Sequence, residues 1–252
     1  MARRGNGNWL GLATFLAMLA VWEAVSASGR VSPALLPPPS RVLPLVWQIL
    51  ASGSFVAPLA ETLSLLALGF GIGCVSACAL GLAMGWSAAL FRLLEPLVEL
   101  VRPIPKPALI PPLFLFLGLG TATKVTVVAL AAFFPVLINT LQAVRGIDPV
   151  TVGTARTFGY SRTATLLNTV LPASLPMILT GMRVSLGLSL VLVILAEMLI
   201  NSKGIGYLIL DMQRSFRVPE MYAWIVILGL LGLLLNAVFE WIEGRLVAWR
   251  PR

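Results

Sequence analysis

Residues 62–86 read TLSLLALGFGIGCVSACALGLAMGW, twenty-five positions without one Asp, Glu, Lys or Arg. About 20 apolar residues suffice for a helix to cross the hydrocarbon core of a bilayer, so this run is long enough to span it. Gly69, Gly73 and Ala77 fall on one helical face, with Gly81 and Gly85 beyond them. Such a bare face lets a neighbouring helix approach the backbone closely, either within one chain or across a pair of chains. Cys74 and Cys78 lie one turn apart in the same run, where they read as small packing residues rather than a disulfide or a metal pair.

The rest of the 252-residue chain has the same character: 58% of it is hydrophobic and 11% charged, and the mean hydropathy is +0.95. A water-soluble exterior needs about a quarter of the residues charged, so lipid is the main solvent here. The net charge of +8 does not point to nucleic acid, because the basic residues punctuate apolar runs and form no patch. Histidine is absent, which removes the usual general base and the commonest metal ligand. With no carboxylate or cysteine cluster either, no catalytic residues and no metal site are expected.

Six runs have the composition of spans: residues 9–28, 62–86, 108–119, 125–144, 176–200 and 223–241. The fold class expected is therefore all-α, a polytopic membrane protein of about six transmembrane helices. The third run is short. Pro103, Pro105, Pro107, Pro111 and Pro112 crowd its start and each removes a backbone donor, so its entry is expected to be irregular and buried in protein. The first run also fits a cleaved leader, with Arg3 and Arg4 before it and Val25-Ser26-Ala27 near its end. Trp9 and Trp22 suit the two interfaces of a retained span, which is the reading adopted.

With the amino terminus inside, Arg3, Arg4, Arg92, Arg102, Lys106, Arg145, Arg156, Arg162, Arg245, Arg250 and Arg252 are cytoplasmic. Arg30, Arg41, Lys124, Lys203, Arg214 and Arg217 are external, and Arg183 falls inside a span. Basic residues accumulate in short cytoplasmic loops, so both termini are expected in the cytoplasm. After Pro37-Pro38-Pro39, Ser40 can cap a helix with Val42, Leu45, Val46, Ile49 and Leu50 on one face. That helix either lies on the external membrane surface or packs on the spans.

The cytoplasmic loop from about residue 145 to 176 is the longest and least apolar. Asp148 can cap a helix that has Pro149 at its first position, and Gly159 can end it with a positive φ. A second helix starting near Ser161 carries Leu166, Leu167 and Val170 and is expected to stop at Pro172 and Pro176. The product is a helix-turn-helix projecting from the membrane.

In this loop Ala155, Gly159, Leu171, Pro172 and Pro176 stand in the register of a known motif: Glu-Ala-Ala, three residues, Gly, then a variable stretch ending in Leu-Pro. The chain therefore resembles the permeases of binding-protein-dependent ABC importers. Arg102-Pro103-Ile104-Pro105, Ala131-Ala132-Phe133-Phe134-Pro135, Asn139-Thr140 and Ala196-Glu197-Met198 are similar to the subgroup that imports nitrate, taurine and aliphatic sulfonates. The resemblance runs from about Glu61 to the carboxyl terminus. It implies the type I ABC importer permease (MetI-like) fold, with residues 1–60 forming an N-terminal span plus external segment and 61–252 the transport core.

The resemblance also implies the partners: a homodimer or paired permease, two ATP-binding subunits inside and a solute-binding protein outside. It assigns coupling to the ATPase to Gly153, Thr154, Ala155, Arg156, Phe158, Gly159, Leu171 and Pro172. Gly153 and Thr154 depart from the motif, whose glutamate and first alanine they replace. No Gly-x-x-x-x-Gly-Lys-Ser/Thr phosphate loop occurs, so no cofactor is expected on this chain, and ATP and Mg belong to the partner.

Glu197 and Arg183 are the candidate pathway or gate residues, because a charge inside a span is costly unless it is paired or hydrated. Glu197 could equally pair with Lys203, Arg214 or Arg217, and Arg183 could snorkel to the headgroups. Asn139 and Gln142 suit hydrogen bonds between helices. Import of a small anion such as a sulfonate, taurine or nitrate is the function expected, against a secondary transporter or an intramembrane enzyme. No inverted repeat with matching broken helices supports the former.

Overall fold

The computed structural model describes residues 7–200 and 203–247. All regular structure among them is helical: α1 (Gly7–Ala27), α2 (Pro39–Ala51), α3 (Val56–Trp86), α4 (Ala88–Val101) and a 3-10 turn (Lys106–Leu109) leading into α5 (Ile110–Leu117). There follow α6 (Thr121–Arg145), α7 (Pro149–Thr157), α8 (Arg162–Thr165), a π-turn (Leu166–Val170), α9 (Leu171–Leu199), α10 (Ile205–Arg214) and α11 (Val218–Leu246). Five helical runs are long and apolar enough to cross a membrane. The pair α4 and Lys106–Leu117, bent by 88° at its break, passes the same test of length and composition together and would make a sixth.

The small-residue face of α3 is filled from within the chain. A Cβ on Gly69 would lie 2.5 Å from Val128 Cβ, one on Gly73 2.8 Å from Ala132 Cβ, one on Gly81 2.7 Å from Thr140 Cβ and one on Gly85 2.6 Å from Val144 Cβ. Both sequences of partners ascend together, so α3 and α6 run parallel with their backbones in close approach. Since α6 starts again near the level where α3 starts, residues 87–120 must carry the chain back across the same thickness. They do so in two unequal steps. At about 1.5 Å per residue the eight-residue α5 is too short to cross alone, and α4 supplies the remaining rise.

The expected third span, residues 108–119, is thus corrected: it is the outer part of a broken helix whose inner part is α4. Five prolines between positions 103 and 112 prevent a continuous ladder there. The Lys106 ammonium donates to the carbonyls of Val101, Arg102 and Ile104 at 3.0–3.1 Å, occupying acceptors that the break leaves open. Its Nζ also stands 4.0 Å from the centroid of Phe134, halfway along α6. Lys106 and the adjoining break therefore sit beside the middle of α6, at mid-depth, and not in a loop at its end.

α9 runs antiparallel to α6, with Gly181 against Asn139 and the Ser189 hydroxyl on the Val128 carbonyl. α11 returns antiparallel to α9, Gly232 lying beside Leu190. Three apolar clusters result, the smallest joining Ile110 to Val127, Ala131 and Leu192, and the two larger ones hold the bundle. One joins Val42 and Val46 of α2 to Leu65, Val128, Val193, Ile209 and Trp224, and the other packs Cys74, Ala77, Met84, Ala132 and Leu137 under α4. The helix after the proline run therefore packs on the spans. It begins at Pro39, and Ser40 does not cap it: the Ser40 N–H and hydroxyl donate to the Glu23 carboxylate of α1 at 3.0 and 2.7 Å.

Candidate functional site

Asp148 ends the turn after α6 and its Oδ1 accepts the Val150 N–H at 2.8 Å, so α7 starts at Pro149 with its cap formed as the residue types dictate. The nine-residue helix ends at Thr157 and is closed two residues further on by Gly159, whose φ is +81°. The Gly159 N–H donates to the Arg156 carbonyl and that of Tyr160 to the Ala155 carbonyl, the wrapped-back bonding that suits a glycine after a helix. Ser161 then caps the next helix through the Ala164 N–H. Capping, turn and recapping within fourteen residues separate the short α7 from the helical run that starts at Arg162, and the cap at Asp148, the turn at Gly159 and the restart near Ser161 are as the sequence predicts.

Only Ala155 of α7 is buried. Phe158 is 79% exposed, and with Val150, Thr154, Ala155, Tyr160 and Thr169 it borders a groove of about 410 Å³. A ring this bare at the tip of an ordered turn presents apolar area of the kind that anchors interfaces. Gly153 faces open space, with nothing within 4 Å of an added Cβ. α7 forms in spite of it, and the Thr154 and Thr157 hydroxyls donate to the Val150 and Gly153 carbonyls. Arg156 is exposed, and Arg162 stacks 5.9 Å over Trp86 at the end of α3.

Leu171 and Pro172 do not terminate a helix. Helical structure continues from Arg162 to Leu199, against the expected stop at Pro172 and Pro176. The π-turn absorbs the change: the Leu171 N–H reaches back to the Leu166 carbonyl, a wider ring just ahead of the two positions that lack donors. The turn at 149–161 is thereby joined to α9 by one helical rod.

Glu197 lies at the other end of that rod, 0% exposed. Its Oε1 accepts the Thr62 hydroxyl at 2.8 Å and its Oε2 the Gly206 N–H at 2.8 Å, while Thr62 Oγ1 also accepts the Ile205 N–H at 3.1 Å. Lys124, 3% exposed at the head of α6, acts electrostatically on the same carboxylate. These groups knit α3, α6, α9 and α10 together, while Arg217 pairs with Glu220. Thr62, Lys124 and Gly206 had no local signal, being brought to Glu197 only by the tertiary fold. Arg183 binds Glu240 and, at 3.2 Å, Asn236 of α11, with Glu243 at 3.9 Å. Among the described residues no group of three or more potential metal ligands is present.

An all-helical bundle of membrane-length apolar helices, with an exposed helical turn that runs on into one of them, fits a membrane transport subunit. The chain belongs to the family of binding-protein-dependent transport system inner membrane components, which matches residues 69–249. It is similar to a Bacillus subtilis (strain 168) protein assigned to aliphatic sulfonates transport as a permease, 31% identical over 248 residues covering 98% of this chain and 90% of that one. The taurine transport system permease protein of Escherichia coli (strain K12) is 29% identical, covering 95% and 89%. The nitrate import permease protein of Leptolyngbya laminosa is 33% identical, covering 81% and 69%. The chain is a multi-pass permease component and not an enzyme; the family implies ATP-binding subunits and a solute-binding protein as its partners.

Proposed function

We propose that two copies of this chain form the path of an ATP-driven importer for a small anion of the sulfonate, taurine or nitrate type. The observation that carries this reading is the ordered turn around Phe158, exposed and built into the same helical rod as α9. A docked ATPase that shifts this turn moves a crossing helix directly. The relatives' substrates support the anion class. Close packing of α3, α6 and α9 supports a second copy as the other wall, because the protomer interior is filled by side chains such as Ala132, Val136 and Leu137.

In this reading Gly153, Thr154, Ala155, Arg156, Phe158 and Gly159 meet the ATPase, with Leu171 and Pro172 transmitting the movement. ATP and Mg are held by the partner. Glu197 positions the outer mouth by tying α10 to α3, and Arg183 ties α9 to α11. Transport resides in residues 61–252, α1 is peripheral, and both termini face the cytoplasm.

Purified complexes in liposomes, supplied with ATP and the binding protein, should accumulate at least one of ethanesulfonate, taurine and nitrate. Uptake without ATP, or none with it, contradicts the reading.

A further inference from the structure

The mechanism above leaves Lys106 without a task. Its ammonium lies at mid-depth, beside the centre of α6, where an ionised side chain is costly to keep. Three carbonyls and the Phe134 ring solvate it, yet they bring dipoles and no negative charge. Among the described residues no carboxylate forms an ion pair with Lys106; Arg102, Arg183 and Arg217 pair with acids instead.

Beside it opens a cavity of about 360 Å³, bordered by Lys106, Arg102, Phe134, Pro135, Asn139 and Leu188. Its polar groups are two cations and an amide, its walls are apolar, and its volume has room for a small anion together with water. The Asn139 Nδ2 donates to the Pro135 carbonyl at 2.8 Å, which fixes the amide on this wall. Arg102 faces Glu99 at 3.4 Å on the exposed side of the break. Because each bond from Lys106 goes to a carbonyl of the break, an anion could take the place of one carbonyl without separating an ion pair.

We propose that this cavity is a mid-membrane way-station for the transported anion, with Lys106 as its charged contact. The proposal rests on the anion-importer reading and adds a site to it. A small sulfonate or nitrate entering the cavity neutralises the ammonium for the time of its stay. The carbonyls of Val101, Arg102 and Ile104 then compete for the ammonium as the anion leaves, so the contact is reversible.

The test uses the complete importer in liposomes, with ethanesulfonate, taurine and nitrate as probes and uptake read per ATP hydrolysed. Lys106→Met should lower uptake at least tenfold and Lys106→Arg should stay within about threefold of the parent. In a Cys74→Ala, Cys78→Ala background, Lys106→Cys should be inactive until aminoethyl methanethiosulfonate attaches an ammonium, which restores at least half of the uptake. The sulfonatoethyl reagent should restore none. Parental uptake by Lys106→Met overturns the proposal, as does equal rescue by both reagents. A Lys106→Met complex that fails to assemble, with no rescue of Lys106→Cys, shows that Lys106 only closes the break. If the parent itself moves none of the probes, the importer reading fails and the way-station fails with it.

Discussion

Glu197 shows what a buried charge requires of its surroundings. Thr62 and Gly206 each donate to its carboxylate, and Lys124 supplies opposite charge nearby. The arrangement leaves no room for larger side chains: a Cβ on Gly206 would lie 2.4 Å from the Ile194 carbonyl and 2.9 Å from Glu197 Cβ. Overpacking at such a point costs about 1–3 kcal/mol. Gly206→Ala is therefore expected to lower the melting temperature of the purified permease, and unchanged melting would mean that the α9–α10 contact is loose. The sequence marked Glu197 as unusual because a carboxylate stands out in an apolar run. Its partners stayed hidden because Thr62 lies 135 positions away and Gly206 contributes only a backbone N–H. Gly159 was readable from local chemistry alone, since a glycine after a capped helix is itself the signal for a positive φ.

Helices α3 and α6 are held by shape. Where Gly73 meets α6, an added Cβ would come within 2.5 Å of the Ala129 carbonyl, whereas at Gly71, two positions earlier, nothing lies within 4 Å. Gly73→Ala should destabilise the permease by about 1–3 kcal/mol through overpacking. Gly71→Ala should be neutral or stabilise it by up to about 1 kcal/mol through helix propensity. Equal thermal unfolding of the two variants would refute the close α3–α6 approach. The long spans were legible because uninterrupted apolar runs have few other folds available. The broken span was not: Arg92, Glu95, Glu99 and Arg102 make α4 resemble a loop, and the prolines conceal that the chain resumes its crossing at α5. Pro172 and Pro176 misled in the opposite direction, since a π-turn lets the helix continue through them. The external helix α10 gave too short an apolar pattern to register as an element.

Across the whole protomer, the structure joins two ends of one rod. The Phe158 turn stands at the start of the helical run Arg162–Leu199, and the Glu197 knot at its far end holds α3 and α10. In the proposed coupling, an ATPase that binds the turn differently in its two states would act on a single helical run that ends at the Glu197 knot. Family membership was readable from the loop because Gly159 and the Leu171-Pro172 pair keep the motif's register, and the rod behind them became visible only in three dimensions. The claim that this turn transmits the drive is tested most directly by substrate-stimulated ATP hydrolysis in reconstituted complexes carrying Gly159→Val. A β-branched residue is strongly disfavoured at a φ of +81°, so the turn should be misdirected while the spans still insert. Stimulation should fall at least tenfold, and Gly153→Glu, placed where an added side chain meets open space, should match or exceed the parent. Parental stimulation with Gly159→Val would contradict the account.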